Sequence, residues 1–147
     1  MAALLNQIIS AGGTTAIETA VSGNALREWM QTETDRSTWH VAVGTGGDIQ
    51  GFQWAEPNPD QPAEAANIAS FVRPGTTGQG VGGLLFKATQ TACRTLGYTW
   101  INAAIRSDNT SGLGYYARIG FVDWKTDPNK AISDGTVTGK TYKRYDL

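Results

Sequence analysis

The chain is expected to fold as a mixed α/β domain, with a part-parallel sheet flanked by helices. Three stretches carry that expectation. Residues 38–56 alternate like a hairpin. A strand, a glycine loop, a helix and a second strand follow one another over residues 66–105. A short helix and a closing pair of strands end the chain.

Each element has a local reason. "LLNQII" near the start has helical spacing. "SGNALREWMQTE" begins with a helix cap, Ser22, and sets Leu26, Trp29 and Met30 on one side. In "TWHVAVGTGGDIQGFQWAE" Trp39, Val41 and Val43 alternate, "TGGD" turns, and Ile49 to Trp54 return. "PNPDQPAEA" is a proline-rich loop, and "ANIASFV" a strand halted by Pro74. Val81, Leu84, Leu85, Ala88, Ala92 and Leu96 then recur at helical spacing, with Gly97 as the stop. "YTWINAAI" is apolar enough for a central strand, "RSDN" a loop, and "TSGLGYYARIG" a short helix. "FVDW" is a strand, "KTDPNKAISDGTVTG" a loop, and "KTYKRYDL" a final alternating strand.

At 147 residues the chain is long enough for one domain, residues 1–147, with one real core. A net charge of -1 supplies no basic stripe for nucleic acid. No apolar run reaches the roughly 18 residues of a membrane span. "MAALLNQIIS" lacks the basic start of a signal peptide. The single cysteine, Cys93, excludes an internal disulfide and fits a reducing, cytoplasmic compartment. Its place in a helical pattern marks it as a buried structural thiol.

The stretch that asks for a function is "GTTGQGVGGLLF", residues 75–86, in which glycines precede a helix. A helix N-terminus carries unpaired N–H groups and a partial positive charge. Glycines before it let a phosphate come close, although a tight turn would also use some of them. A Walker loop would follow Gly75 and Gly80 with lysine, but Val81 and Gly82 stand there. Gly78-Gln79-Gly80-Val81-Gly82-Gly83 matches a dinucleotide fingerprint literally. The acidic residue required about 20 positions later is absent from "YTWINAAI".

A third cradle fits. "FVRPGTTGQGVGGLLF" resembles the acyl-CoA-binding motif of the GNAT superfamily, the acetyl-CoA-dependent N-acetyltransferases, with its [RQ]-x-x-G-x-[GA] loop opening a long helix. Gly80 and Gly82 occupy the glycine positions, and Thr77 stands where Arg or Gln is usual. "NTSGLGYYARIGF" resembles the family's N-x-x-[AS]-x-x-[FL]-Y-x-x-x-G-F segment through Asn109, Tyr115, Tyr116, Gly120 and Phe121, with Gly112 at the small-residue position. The resemblance covers most of the chain and looks nearest to the phosphinothricin acetyltransferase-like branch, whose first helices "IISAGGTTAIETAVSGNALREWM" echoes.

The resemblance implies a mixed sheet with a splayed central strand pair, and transfer of an acetyl group from acetyl-CoA to a primary amine by direct attack. Tyr116 would be the general acid that protonates the coenzyme A sulfur. At helical spacing with Leu113 and Gly120 it would equally suit a core position, and Tyr115 is the fallback. Backbone groups of Phe71, Val72 and Arg73 would receive the pantetheine arm. Thr77 and Gly78, Gln79, Gly80, Val81, Gly82 and Gly83 would hold the pyrophosphate. Asn109, Gly112 and Tyr115 would border the site. No metal is implied. Asn67 aligns where that branch commonly carries Glu, so it would hold a water that relays the proton. Glu64, Glu18 and His40 are further candidates, each also explained by a solvated or structural role. The family's first strand is expected to be missing, which would leave a sheet edge in need of cover. The acceptor is expected to be a small amine such as an amino acid or analogue, near Trp29, Trp39, Trp54 and the loop 57–64. The alternatives are a protein or peptide acetyltransferase, a coenzyme A-binding regulatory module without catalysis, and a nucleotide-binding oxidoreductase. A homodimer is compatible with the resemblance.

Overall fold

The computed structural model describes residues 1–147 apart from Thr77, Ser133 and Asp134. Two helices open it, α1 (Ala2–Ala11) and α2 (Gly23–Met30), and the Ser22 Oγ accepts from the Ala25 N–H at 3.0 Å as the expected cap. Strands β1 (Thr38–Val43), β2 (Ile49–Glu56) and β3 (Ala65–Val72) follow, then α3 (Val81–Thr95), β4 (Trp100–Arg106), α4 (Thr110–Arg118), β5 (Val122–Asp127) and β6 (Lys140–Asp146). They build a six-stranded sheet in the order β1-β2-β3-β4-β6-β5. Only β3 and β4 run parallel, because the α3 crossover joins them.

Strand alternation divides the core in two. Ala55, Ala66, Ile68, Ile101, Ala103 and Ile105 pack with Phe86, Cys93, Tyr116 and Phe121 on the α3/α4 face. Phe52, Trp54 and Phe71 pack with Leu4, Leu5 and Ile8 on the α1 face. The mixed fold is as expected, with local corrections. The buried side of α3 is Leu85, Phe86, Thr89 and Cys93, while Leu84 is 68% exposed, so the apolar stripe read from the sequence is rotated. Strand β5 continues through Asp127 into the expected loop, where Ala131 and Val137 also form a bridge. Charged Asp123, Lys125 and Asp127 guard the β5 edge. The β1 edge carries none, and no strand among the described residues covers its outer side. No helix among the described residues is long and apolar enough to cross a membrane.

Candidate active site

The site begins where pairing stops. Strands β3 and β4 are in register from Ala65↔Trp100 to Ile68↔Ala103 and no further. Beyond that point β3 stays with β2 as far as Gly51↔Val72, and β4 stays with β6 as far as Arg106↔Lys140. The two central strands therefore splay into a V. The Arg73 N–H donates to the Gln50 carbonyl at 2.8 Å, which fixes the parity of the β2–β3 ladder. In an antiparallel ladder alternate residues turn both backbone groups to the partner. Phe71 and Arg73 thus face β2, and Ser70 and Val72 aim their N–H and C=O into the V. Of the three backbone positions expected to meet a ligand, Val72 points there. Ser70 joins it.

Helix α4 carries the tyrosines to this opening. Asn109 caps it: its Oδ1 accepts from the Gly112 N–H at 2.9 Å, and its Nδ2 donates to the Thr14 carbonyl at 2.9 Å. The amide expected to touch a ligand is thus engaged by the protein itself. A Cβ on Gly112 would lie 2.5 Å from that Nδ2, so the small residue is a packing requirement. Tyr116 is 7% exposed, and its Oη lies 2.8 Å from the Ser70 Oγ. Burial pushes its phenol well above the usual tyrosine range, against the opposing hydrogen bond from Ser70. The group therefore keeps its proton at every physiological pH. Tyr115 Oη donates to the Gly82 carbonyl at 2.8 Å, and Gln53 Nε2 reaches both Ser70 Oγ at 2.7 Å and Tyr115 Oη at 3.4 Å.

At the open end of β3 the glycine loop enters α3. Gly75, Gly78 and Gly80 hold φ of 86°, 88° and 84°. Gly80 is the N-cap and has no side chain to bond, so among the described residues no side chain caps the first-turn N–H groups of Val81, Gly82 and Gly83. A Cβ on Gly82 would lie 2.6 Å from Tyr115 Cε2. Gly83 has neither a left-handed φ nor any atom within 4 Å of such a Cβ. No described residue requires glycine there, and glycine weakens a helix. A ligand approaching the backbone would require it, so the loop fits a pyrophosphate. Gln79 is exposed, and Thr77 lies outside the described residues.

The other face of the sheet presents a polar row at the foot of the V. Glu56 is in register with Asn67, Asn67 with Asn102, and Asn102 Nδ2 donates to Asn67 Oδ1 at 2.8 Å. Trp124 Nε1 donates to Asn102 Oδ1 at 3.0 Å, and Trp54 Nε1 to Glu56 Oε1 at 3.1 Å. Partial burial raises the Glu56 carboxyl above the usual carboxylate range, and the indole hydrogen bond works against that rise. Beside it Trp54 stacks on Trp39 at 4.6 Å and meets Trp29 at 5.5 Å.

The remaining candidates lie elsewhere. His40 Nε2 bonds Thr38 Oγ1 at 2.9 Å on β1, and burial lowers its pKa, which keeps it neutral. Cys93 is fully buried, with its thiol pushed up to about 12. Glu64 is exposed. Gln53, Ser70 and Glu56 escaped the sequence reading. The available signal was a polar residue at an inward position of an apolar strand, such as Gln53 between Phe52 and Trp54.

The sequence profile of the acetyltransferase (GNAT) family matches residues 9–121. A mycothiol acetyltransferase of Pseudarthrobacter chlorophenolicus is 30% identical over 96 residues, which are 63% of this chain and 30% of that protein. The chain thus spans about a third of the length of the curated relatives it matches. The ribosomal-protein-alanine N-acetyltransferase of Brucella melitensis superposes with a TM-score of 0.87 at 18% identity, over 99% of this chain and 91% of that one. A phosphinothricin acetyltransferase of Sinorhizobium meliloti, solved in complex with AcCoA, gives 0.87 at 19% identity, over 99% and 80%. With a profile match across most of its length, and with the splayed pair and glycine loop in place, the chain belongs to the acetyltransferase (GNAT) family.

Proposed function

We propose that the protein transfers the acetyl group of acetyl-CoA to a primary amine of a small molecule, with Tyr116 as the general acid. The observation that carries the reading is the V between β3 and β4, with an uncapped helix N-terminus at its mouth and a protonated phenol inside it. The V would take the pantetheine arm along Ser70 and Val72, and the first turn of α3 would hold the pyrophosphate. The small-molecule acceptor is supported by the relatives named for mycothiol.

The amine must lose a proton before it attacks. An alkylamine with a pKa of about 10.4 is neutral in only about one part in 10³ at pH 7. Asn67 cannot accept a proton, but Glu56 beside it can. Glu56 lies three residues after Gln53, and Asn67 three before Ser70, which is about 10 Å at a rise of about 3.3 Å per residue. Direct transfer needs about 3 Å. The proton therefore travels through water, held by Asn67 Nδ2 and drained to Glu56. The neutral nitrogen attacks the thioester carbonyl, the carbon–sulfur bond breaks, and Tyr116 protonates the departing thiolate.

The test is a calorimetric titration with acetyl-CoA, followed by thiol release across a panel of primary amines. Acetyl-CoA should bind with NADH failing to, and one class of amine should release thiol. Failure to bind acetyl-CoA would overturn the reading. Binding without turnover on any amine would leave a coenzyme A-binding module.

A further inference from the structure

We infer that Gln53 is a positioning residue, fixing the direction of a proton chain that leaves the Tyr116 proton free for the reacting sulfur. The inference rests on Tyr116 as the acid. The chain can be oriented from one end, because the Gly82 carbonyl oxygen can only accept. Tyr115 Oη lies 2.8 Å from it, so the single Tyr115 proton is used there. Toward Gln53, 3.4 Å away, the same oxygen can then only accept. Gln53 must present Nε2, whose second N–H reaches Ser70 Oγ at 2.7 Å. Ser70 therefore accepts on that side. Its own proton turns to the nearer phenol oxygen, Tyr116 Oη at 2.8 Å, rather than to Tyr115 Oη, which already accepts from Gln53. Tyr116 accepts it, and its own proton remains unshared with the protein.

The arrangement leaves a trace. Gln53 is fully buried, and its Oε1 has no partner. Rotating the amide would give that oxygen the Ser70 proton, but it would strand two N–H donors in place of one acceptor and set two oxygens facing each other at Tyr115. It would also reverse the last link. Ser70 would donate to Gln53, Tyr116 would donate to Ser70, and the acid proton would turn away from the V. The Tyr115 hydroxyl, which does not touch the Tyr116 proton, is the lock against that rotation.

The probe is coenzyme A itself, bound and titrated through the ultraviolet absorbance of its thiolate. A free thiol has a pKa of about 8.5, and a phenol donating to the bound sulfur should lower it by about one unit, a tenfold gain in thiolate. Tyr115→Phe keeps the ring on Gly82 and removes the lock, so much of the lowering should vanish. Gln53→Met removes the donor that makes Ser70 accept, so Tyr116 can donate to Ser70 and much of the lowering should vanish, with no further loss in the double variant. Equal effects of Tyr115→Phe in both backgrounds would mean that the hydroxyl merely holds Gly82, and no effect in either would remove the lock. Both results overturn the inference. Tyr116→Phe should abolish the lowering altogether. If it does not, the acid assignment falls independently of Gln53. Melting curves and calorimetric coenzyme A binding establish that each variant is folded and loaded.

Discussion

Replacing Gly83 by alanine should stabilise the free protein and weaken its hold on acetyl-CoA. Gly83 sits in the first turn of α3, and a Cβ there meets no heavy atom within 4 Å. Alanine enters without a clash and removes a glycine penalty of about 0.5–1 kcal/mol. In a chain of this size that raises Tm by about 1–4 °C. The same methyl group occupies the space through which an anion would reach the uncapped N–H groups. Losing one charge-assisted hydrogen bond is worth about 1.5–3 kcal/mol, or about a ten- to hundredfold increase in Kd. Thermal melts with and without acetyl-CoA read both effects together. The free protein should melt higher, and the ligand-induced increment should shrink. A higher melting point with an undiminished increment would refute the view that Gly83 is reserved for a ligand.

Gly82→Ala should do the opposite to the free protein. Its Cβ would lie 2.6 Å from the Tyr115 ring, so a lower Tm is expected, by about 1–3 kcal/mol of overpacking. Tyr116→Phe should lower kcat by about 10²–10⁴-fold while acetyl-CoA affinity in calorimetry stays the same, and unchanged turnover would end its role as acid. Glu56→Gln should remove the acidic limb of the kcat profile, a limb expected above the usual carboxylate range because burial raises that carboxyl. The same raised pKa means that the unfolded carboxyl ionises more readily than the folded one, so stability falls as pH rises through the folded pKa. Glu56→Gln should accordingly melt higher than the parent at neutral pH and not below the carboxylate range, and equal melting at both would contradict the buried-charge argument. Because the acid and the base lie on opposite faces, the losses in log kcat should add in the double variant Tyr116→Phe/Glu56→Gln, whereas a double loss no larger than either single one would show that they act as a unit.

Much of this fold could be read from local sequence, because its punctuation is strong. Ser22, Pro74 and Gly97 end or start elements for reasons that act within a few residues, and all three do so in the structure. The splay could not be read that way. It depends on β6 holding β4 while β2 holds β3, a competition between partners remote in sequence. The α3 stripe failed for a related reason. Leu84 has the right spacing but is exposed, and Thr89 is buried on the packed side of the helix instead. At the site, the motif positions are legible in the sequence, while the residues that contact them are not. Gln53 and Ser70 belong to no local pattern. They matter because antiparallel pairing sets Gln53 opposite Ser70 and α4 brings two adjacent tyrosines onto them. Glu56 ends its strand and belongs to no motif, and only the register with Asn67 gives it a neighbour to work with.

In the proposed reaction, two burial-driven shifts of the same sign would serve opposite tasks on the two faces of the sheet. An acid must retain its proton until negative charge develops on sulfur, and full burial of Tyr116 secures that by raising its pKa. A base working near neutral pH must hold a proton only weakly, yet more tightly than an exposed carboxylate, and half-burial moves Glu56 in that direction. The two groups do not exchange protons, because a carboxylate is far too weak a base to take one from a phenol. The continuous backbone of β2 and β3 separates them. Only the V, where β3 has lost its partner on one side, joins the two faces. In the proposed reaction, a substrate spanning that opening would match a proton leaving nitrogen on one face with a proton delivered to sulfur on the other.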